Sequence, residues 1–280
     1  MIVHDGTKCR ECGVCLAIRE GHCLQKSGAE IRVDPLQCNE CGECVARCPS
    51  QAFAFQGHPT QRLDPEARAK PKALVELLAG RRSTRRFTDA PVDRKTLLQL
   101  AVMARYAPSM NHDIEAVLID DTEILRRIDK GLFAFYARMY RLLFKNPLVF
   151  GFIRLFADGM DVTKKKLEHS MREGRILYNA PALMLLTGKK RVPLTELSAQ
   201  FQLSHMMLYA ESLGLGTCLM DSVKIGVNAS AALRRLLGIQ PGHAVVGALH
   251  VGYPTYPVRN IMPALSLRVR IPSIDPSLTR

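Results

Sequence analysis

Cys38-Asn-Glu-Cys41-Gly-Glu-Cys44-Val-Ala-Arg-Cys48-Pro49 decides how the first part of this chain folds. Three cysteines stand two residues apart, and a fourth follows three residues later with proline directly behind it. That C-x2-C-x2-C-x3-C-P spacing is an iron–sulfur run. The short gaps let a glycine-assisted loop turn three thiolates onto three irons of one cubane, while the cysteine before proline points away to another cluster. A second cluster needs a second triplet, and Cys9-x2-Cys12-x2-Cys15 lies upstream. The spacing therefore assigns Cys9, Cys12, Cys15 and Cys48 to one [4Fe-4S] cluster, and Cys38, Cys41 and Cys44 to the other. A simple repeat would place the last ligand at position 19, but Arg19 stands there; Cys23 is the next cysteine, followed by Leu24 rather than proline. Residues 16–22 read as a short insertion that still delivers Cys23 as the eighth ligand. Zinc and disulfides are the competing uses, yet four-cysteine zinc sites usually pair C-x2-C with a distant C-x2-C.

Over residues 1–56 the pattern resembles the two-cluster bacterial ferredoxins, with Ile31–Asp34 and Ala52–Phe55 alternating like short strands. Eight of the nine cysteines fall before residue 50, so this unit is small and held by its cofactors. The 280 residues, 47% of them hydrophobic, leave room for one larger domain behind it. Composition shifts to His, Pro, Gln, Arg and Asp over 57–71, which reads as a linker, with the second domain over 72–280. Met1 leads straight into the first triplet with no leader, and clustered thiols point to a reducing cytoplasm. Charged residues interrupt the apolar stretch 131–160, so no transmembrane span is expected.

Net charge is +13, but residues 1–57 hold 6 Lys and Arg against 7 Asp and Glu, so the excess lies in the second domain. Such a surface suits an anionic cofactor, nucleic acid, a membrane surface or an acidic electron carrier. There is no tryptophan and no aromatic-plus-basic stripe, so no nucleic acid is expected as a partner.

In the second domain, 73–78 reads as a short helix and Asp93 as the cap of a helix over 94–106. Strands are expected at 115–120, 182–187 and 244–251, and helices at 122–130, 133–145, 148–156, 161–173 and 194–213. Asn228 reads as the cap of a helix to Leu237, ended by Gly238. The class is α+β. Arg81-Arg82-Ser83-Thr84-Arg85-Arg86-Phe87 stands out after the first helix. It is either a solvated basic loop or a phosphate clamp, since guanidinium forks and a hydroxyl match phosphate oxygens. Gly214-x-Gly216 is no dinucleotide fingerprint, because it ends a helix rather than joining strand to helix.

Five motifs in order then resemble the nitroreductase-like flavoproteins over roughly residues 70–265. They are RRSxRxF at 81–87, Ala107-Pro108-Ser109 with Asn111, Ala180-Pro181 before a strand, Gly214–Cys218 after a long helix, and Gly252-Tyr253-Pro254 with Arg259 beyond. With its front end, the chain looks like the ferredoxin–nitroreductase fusions. The resemblance implies a mixed-sheet α+β flavin domain, FMN as cofactor and a homodimer with flavin at the subunit interface. It places Arg81, Arg82, Ser83 and Arg85 on the phosphate and ribityl chain, and Asn111 near the flavin ring. Gly214, Leu215, Gly216 and Thr217 would run beside the ring, and Arg259 would return toward the phosphate. The family loop often runs A-P-S-x-x-N-S-Q-P-W; here Asn111 comes one residue early and His112 follows, so His112 is either a solvated loop residue or part of the substrate side. Cys218 reads as a small buried thiol.

These readings describe an iron–sulfur flavoprotein oxidoreductase that passes electrons through two clusters and FMN to a small-molecule acceptor: a nitro compound, a quinone, an enone or a halogenated aromatic. A soluble ferredoxin or NAD(P)H is the donor. Two alternatives stay open: an NAD(P)H-dependent flavin reductase with structural clusters, and a non-catalytic iron–sulfur redox sensor. Residues 131–160 are longer and more apolar than a connection needs. They read as core or dimer packing, a lid over the flavin, or a basic amphipathic surface for a membrane or partner.

Overall fold

The computed structural model describes residues 2–261, without 19–22, 29, 39–40, 56, 68, 110–112 and 157–158. The N-terminal unit runs β1 (Ile2–His4), α1 (Val14–Ile18), β2 (Leu24–Ser27), β3 (Glu30–Val33), α2 (Glu43–Arg47), β4 (Phe53–Phe55) and β5 (His58–Pro59). The first and last arms pair, β1 lying antiparallel to β4 with Ile2 opposite Phe55, while β2 and β3 form a hairpin. Each short helix follows the second cysteine of a triplet and its glycine. Gly13 and Gly42 take left-handed backbone (φ 72° and 73°), which lets the chain turn sharply between cysteines. The expected linker starts later than 57, because β5 adds to β4 and the Arg62 guanidinium reaches back to the Pro49 carbonyl at 3.3 Å.

The second domain continues with α3 (Pro71–Gly80), α4 (Arg94–Ala104), β6 (Glu115–Ile119), α5 (Thr122–Leu143), α6 (Pro147–Phe156), α7 (Met160–Glu173) and β7 (Ala182–Lys189). Then follow α8 (Thr195–Ser212), β8 (Gly216–Leu219), α9 (Asp221–Ala229), α10 (Ala231–Leu236) and β9 (His243–Gly252). The strands form one sheet in the order β6-β7-β9-β8. Among the described residues all three pairings are antiparallel, where the resemblance implies a mixed sheet. Among the described residues, the parallel contribution is an isolated bridge between Ser83 and Thr217.

β7 is apolar at nearly every position because helices cover both faces of the sheet. Leu183 and Leu185 enter one core with Ile128 and Leu132 of α5 and Val223 and Val227 of α9. Ala182, Met184 and Leu186 enter the other, with Leu97 and Leu100 of α4 and Leu203 and Met206 of α8.

Two sequence expectations need correction. Thr122–Leu143 forms one helix, not two, for Gly131 does not interrupt it: a Cβ there would press into the Leu233 side chain, so the glycine serves a close helix contact. Asn228 is not a cap. It lies inside α9, where its side-chain amide donates to the Val245 carbonyl at 2.7 Å and accepts the Val245 N–H at 2.9 Å. Ser230 caps α10 instead, accepting from the Leu233 N–H at 3.3 Å. Asp93 does cap α4, accepting from Thr96 at 3.0 Å.

Candidate functional site

The turns of the N-terminal unit aim its thiols at two places. Cys9, Cys12, Cys15 and Cys48 line one cavity with Val14, Ile31 and Phe53. Cys15 lies within electrostatic reach of Cys48 and Cys12, and Cys44 within reach of Cys41, Cys38 and Cys23. None of the eight is joined in a disulfide in this structure.

Hydrogen bonds aim at the sulfurs. Glu11 N–H donates to Cys9 Sγ at 3.4 Å and Ala52 N–H to Cys48 Sγ at 3.3 Å. Burial pushes the Cys48 thiol up, but the Ser50 hydroxyl and the backbone N–H groups of Ala52, Ser50 and Gln51 outweigh it and hold it below the usual value. Burial raises Cys15, and pushes Cys44 up to about 11 with neighbouring thiols adding to the shift. Such thiols become thiolates when cations share the pocket. Among the described residues, no three His, Cys, Asp or Glu side chains converge as the ligands of one metal ion would.

The arginine segment is the second candidate region. It leaves α3 at Arg81, whose N–H closes the helix on the Leu77 carbonyl at 3.2 Å. Thr84 N–H donates to the Thr217 carbonyl at 2.8 Å, fixing the segment against β8. Further on, Thr88 N–H donates to the Tyr253 carbonyl at 2.9 Å, and Thr255 N–H to the Arg86 carbonyl at 3.0 Å. The segment is thus stapled at both ends as an extended chain, not a free loop. Gly216 is required for it: a Cβ there would sit inside the Thr84 side chain.

Arg81 and Arg82 are half-buried, and Ser83 and Arg85 are exposed. Arg82 Nη1 folds back onto the Arg81 carbonyl at 2.7 Å. The buried Cys218 thiol next door is pushed up by burial, with Arg85, the Ser83 hydroxyl and Arg81 pulling it down. Glu211 is raised by burial and lowered by Arg81 and Arg82. The structure therefore brings Arg81, Ser83, Arg85, Gly216 and Thr217 together, with Arg82 at the end of α8.

Other expected residues lie elsewhere. Gly214 ends α8 in left-handed backbone (φ 73°), and the Leu215 side chain is packed into the core, leaving only its main chain for a ligand. Arg259 is exposed on the tail and makes no hydrogen bond or ion pair among the described residues. Asn111 and His112 lie outside the described residues. Sequence reasoning missed His250, opposite Cys218 in the sheet. It is fully buried, and neither ring nitrogen has a hydrogen-bond partner among the described residues. Phe87 and Tyr178 meet it edge-on at 6.4 and 6.2 Å, and burial pulls its pKa down to about 3. A histidine in a valine-rich strand carries no signal in the sequence.

Residues 78–253 match the Nitroreductase family model. A nitroreductase with bound FMN from Bacteroides fragilis is 18% identical, with TM-score 0.52 over 72% of this chain and 98% of that one. A nitroreductase with bound FMN from Desulfitobacterium hafniense is 16% identical, with TM-score 0.54 over 70% and 97%. Oxidised iodotyrosine deiodinase bound to FMN and 3-iodo-L-tyrosine is 21% identical, with TM-score 0.52 over 71% and 99%. At these identities the likeness is one of fold. No curated protein matches the chain. The cysteine-rich unit lies outside the matched residues.

Proposed function

The chain belongs to the nitroreductase family, and from that premise we propose that it is an iron–sulfur flavoprotein oxidoreductase, taking single electrons at two [4Fe-4S] clusters and delivering pairs from FMN to a small organic acceptor. The observation that carries the reading is the division of eight thiols into two sets, ahead of a family domain whose arginine segment is stapled to the sheet. When bound, the clusters supply one-electron transfer and the flavin either one- or two-electron transfer.

The residues present fit both groups. Cys9, Cys12, Cys15 and Cys48 would hold one cluster and Cys38, Cys41, Cys44 and Cys23 the other. The N–H groups of Glu11 and Ala52 and the hydroxyl of Ser50 orient the sulfurs of Cys9 and Cys48 and stabilise charge on them. A cubane ends its thiolates on four separate irons, so it asks for no convergence on one point, unlike tetrahedral zinc.

Arg81, Arg82 and Arg85, with the Ser83 hydroxyl, would hold the flavin phosphate and ribityl chain. The Gly216–Thr217 main chain, kept open by the missing Cβ, would approach the ring edge. The acceptor class is a nitro compound, quinone, enone or halogenated aromatic; the donor is a soluble ferredoxin or another reduced protein. The assembly is a homodimer.

Iron, sulfide and flavin are to be quantified after anaerobic purification. Two four-iron clusters and one flavin require about eight irons and one FMN per chain; flavin with zinc in place of iron would leave a flavin reductase without an electron wire. Arg82→Ala should weaken FMN binding roughly tenfold or more, as loss of a charge-assisted hydrogen bond does, and leave iron unchanged. Unaltered FMN affinity would remove the clamp assignment.

A further inference from the structure

Helix α6, within the apolar segment 131–160, carries large apolar residues on two sides. Phe150 packs on the core of α5 and α7. On the outer side Leu148, Phe152 and Leu155 recur at i, i+4 and i+7 and are 84%, 64% and 77% exposed. Large apolar side chains exposed at that spacing on one helix mark an interaction surface. Its setting is strongly cationic: residues 130–166 hold 8 Lys and Arg against 2 Asp and Glu. Arg138, Arg141 and Lys145 in the segment before the helix and Lys165 in α7 after it are exposed.

We propose that α6 docks on an anionic membrane surface, with its apolar stripe at the boundary of headgroups and acyl chains and the surrounding cations over lipid phosphates. The charge selects this occupant. A second copy presenting the same face would set cations against cations, whereas an anionic bilayer complements both the stripe and its rim. The helix has ten residues, too few to cross a bilayer, and no described helix is long and apolar enough to do so. The mode is therefore peripheral, and independent of the redox reading.

The test is co-sedimentation of the full-length, cofactor-loaded protein with vesicles of phosphatidylcholine alone, and of phosphatidylcholine mixed with phosphatidylglycerol. Binding is expected to the mixed vesicles only, and to fall as salt rises. Arg141→Gln with Lys145→Gln should weaken it about fivefold for each charge removed. Leu148→Ser with Phe152→Ser and Leu155→Ser should abolish it, with circular dichroism and flavin spectrum unchanged. No binding to either vesicle would overturn the proposal, as would binding that survives both variants. A triple variant that instead changes the protein's mass in sedimentation velocity would assign the face to another copy of the chain, and equally overturn it.

Discussion

Ile2, Leu24, Ile31, Cys44 and Phe53 make up the buried core cluster of the N-terminal unit among the described residues, whereas the sheet domain fills two cores, one on each face of β7 and β9. One of those five is itself a cysteine, and Cys15, Cys23, Cys38 and Cys48 pack around them. A unit of fewer than 60 residues with so little buried apolar surface does not hold itself together by burial alone. The sheet domain needs no such staple. The difference teaches that the cysteines are part of the core itself in the first region, while in the second the arginine segment is laid over a fold that already stands.

The largest expected effect breaks the first region alone. On the proposed reading, Cys44→Ser should remove one cluster and open the N-terminal unit to proteases, because a buried core side chain and a proposed ligand are lost together. Flavin content and the main thermal transition of the sheet domain should persist; one shared transition would show that the two regions are not separate in this sense. Next, Leu183→Ala should lower the stability of the sheet domain by about 3 kcal/mol, the usual cost of emptying a fully buried leucine site. Iron content should stay as it was, read by denaturant unfolding alongside metal analysis.

A smaller effect sharpens the contrast through pH. His250 is held neutral by burial, with a folded pKa of about 3 against an ordinary value near 6.5. Between these values the unfolded chain binds the extra proton, so stability is full above about 6.5 and falls as pH drops toward 3, by about 1.4 kcal/mol per unit. His250→Leu should flatten that limb. An unchanged acid profile would show that another group governs it.

The cysteine spacing made the two thiol sets legible, because a C-x2-C-x2-C turn leaves few geometries. β7 was legible too, since an unbroken apolar run must be covered on both faces. Local rules failed where tertiary contact decided. Gly131 falls in the gap between the helices expected at 122–130 and 133–145 until Leu233 is seen against it, and Asn228 reads as a cap until its amide is found on Val245. The stapling of Arg81–Thr88 to Thr217 and Tyr253 joins segments more than 130 residues apart, which no local pattern reports. His250 left no trace, because its neighbours Phe87, Tyr178 and Cys218 come from three distant stretches.

The most direct test of one electron path through both regions is anaerobic rapid mixing with a reduced soluble ferredoxin, followed in the visible on the intact protein and on Cys44→Ser. The clusters should bleach first and the flavin after them in the intact protein, and flavin bleaching should stop in Cys44→Ser while FMN stays bound. Flavin reduced at the same rate in both proteins would contradict the path, and leave the cysteine-rich unit as a structural appendage.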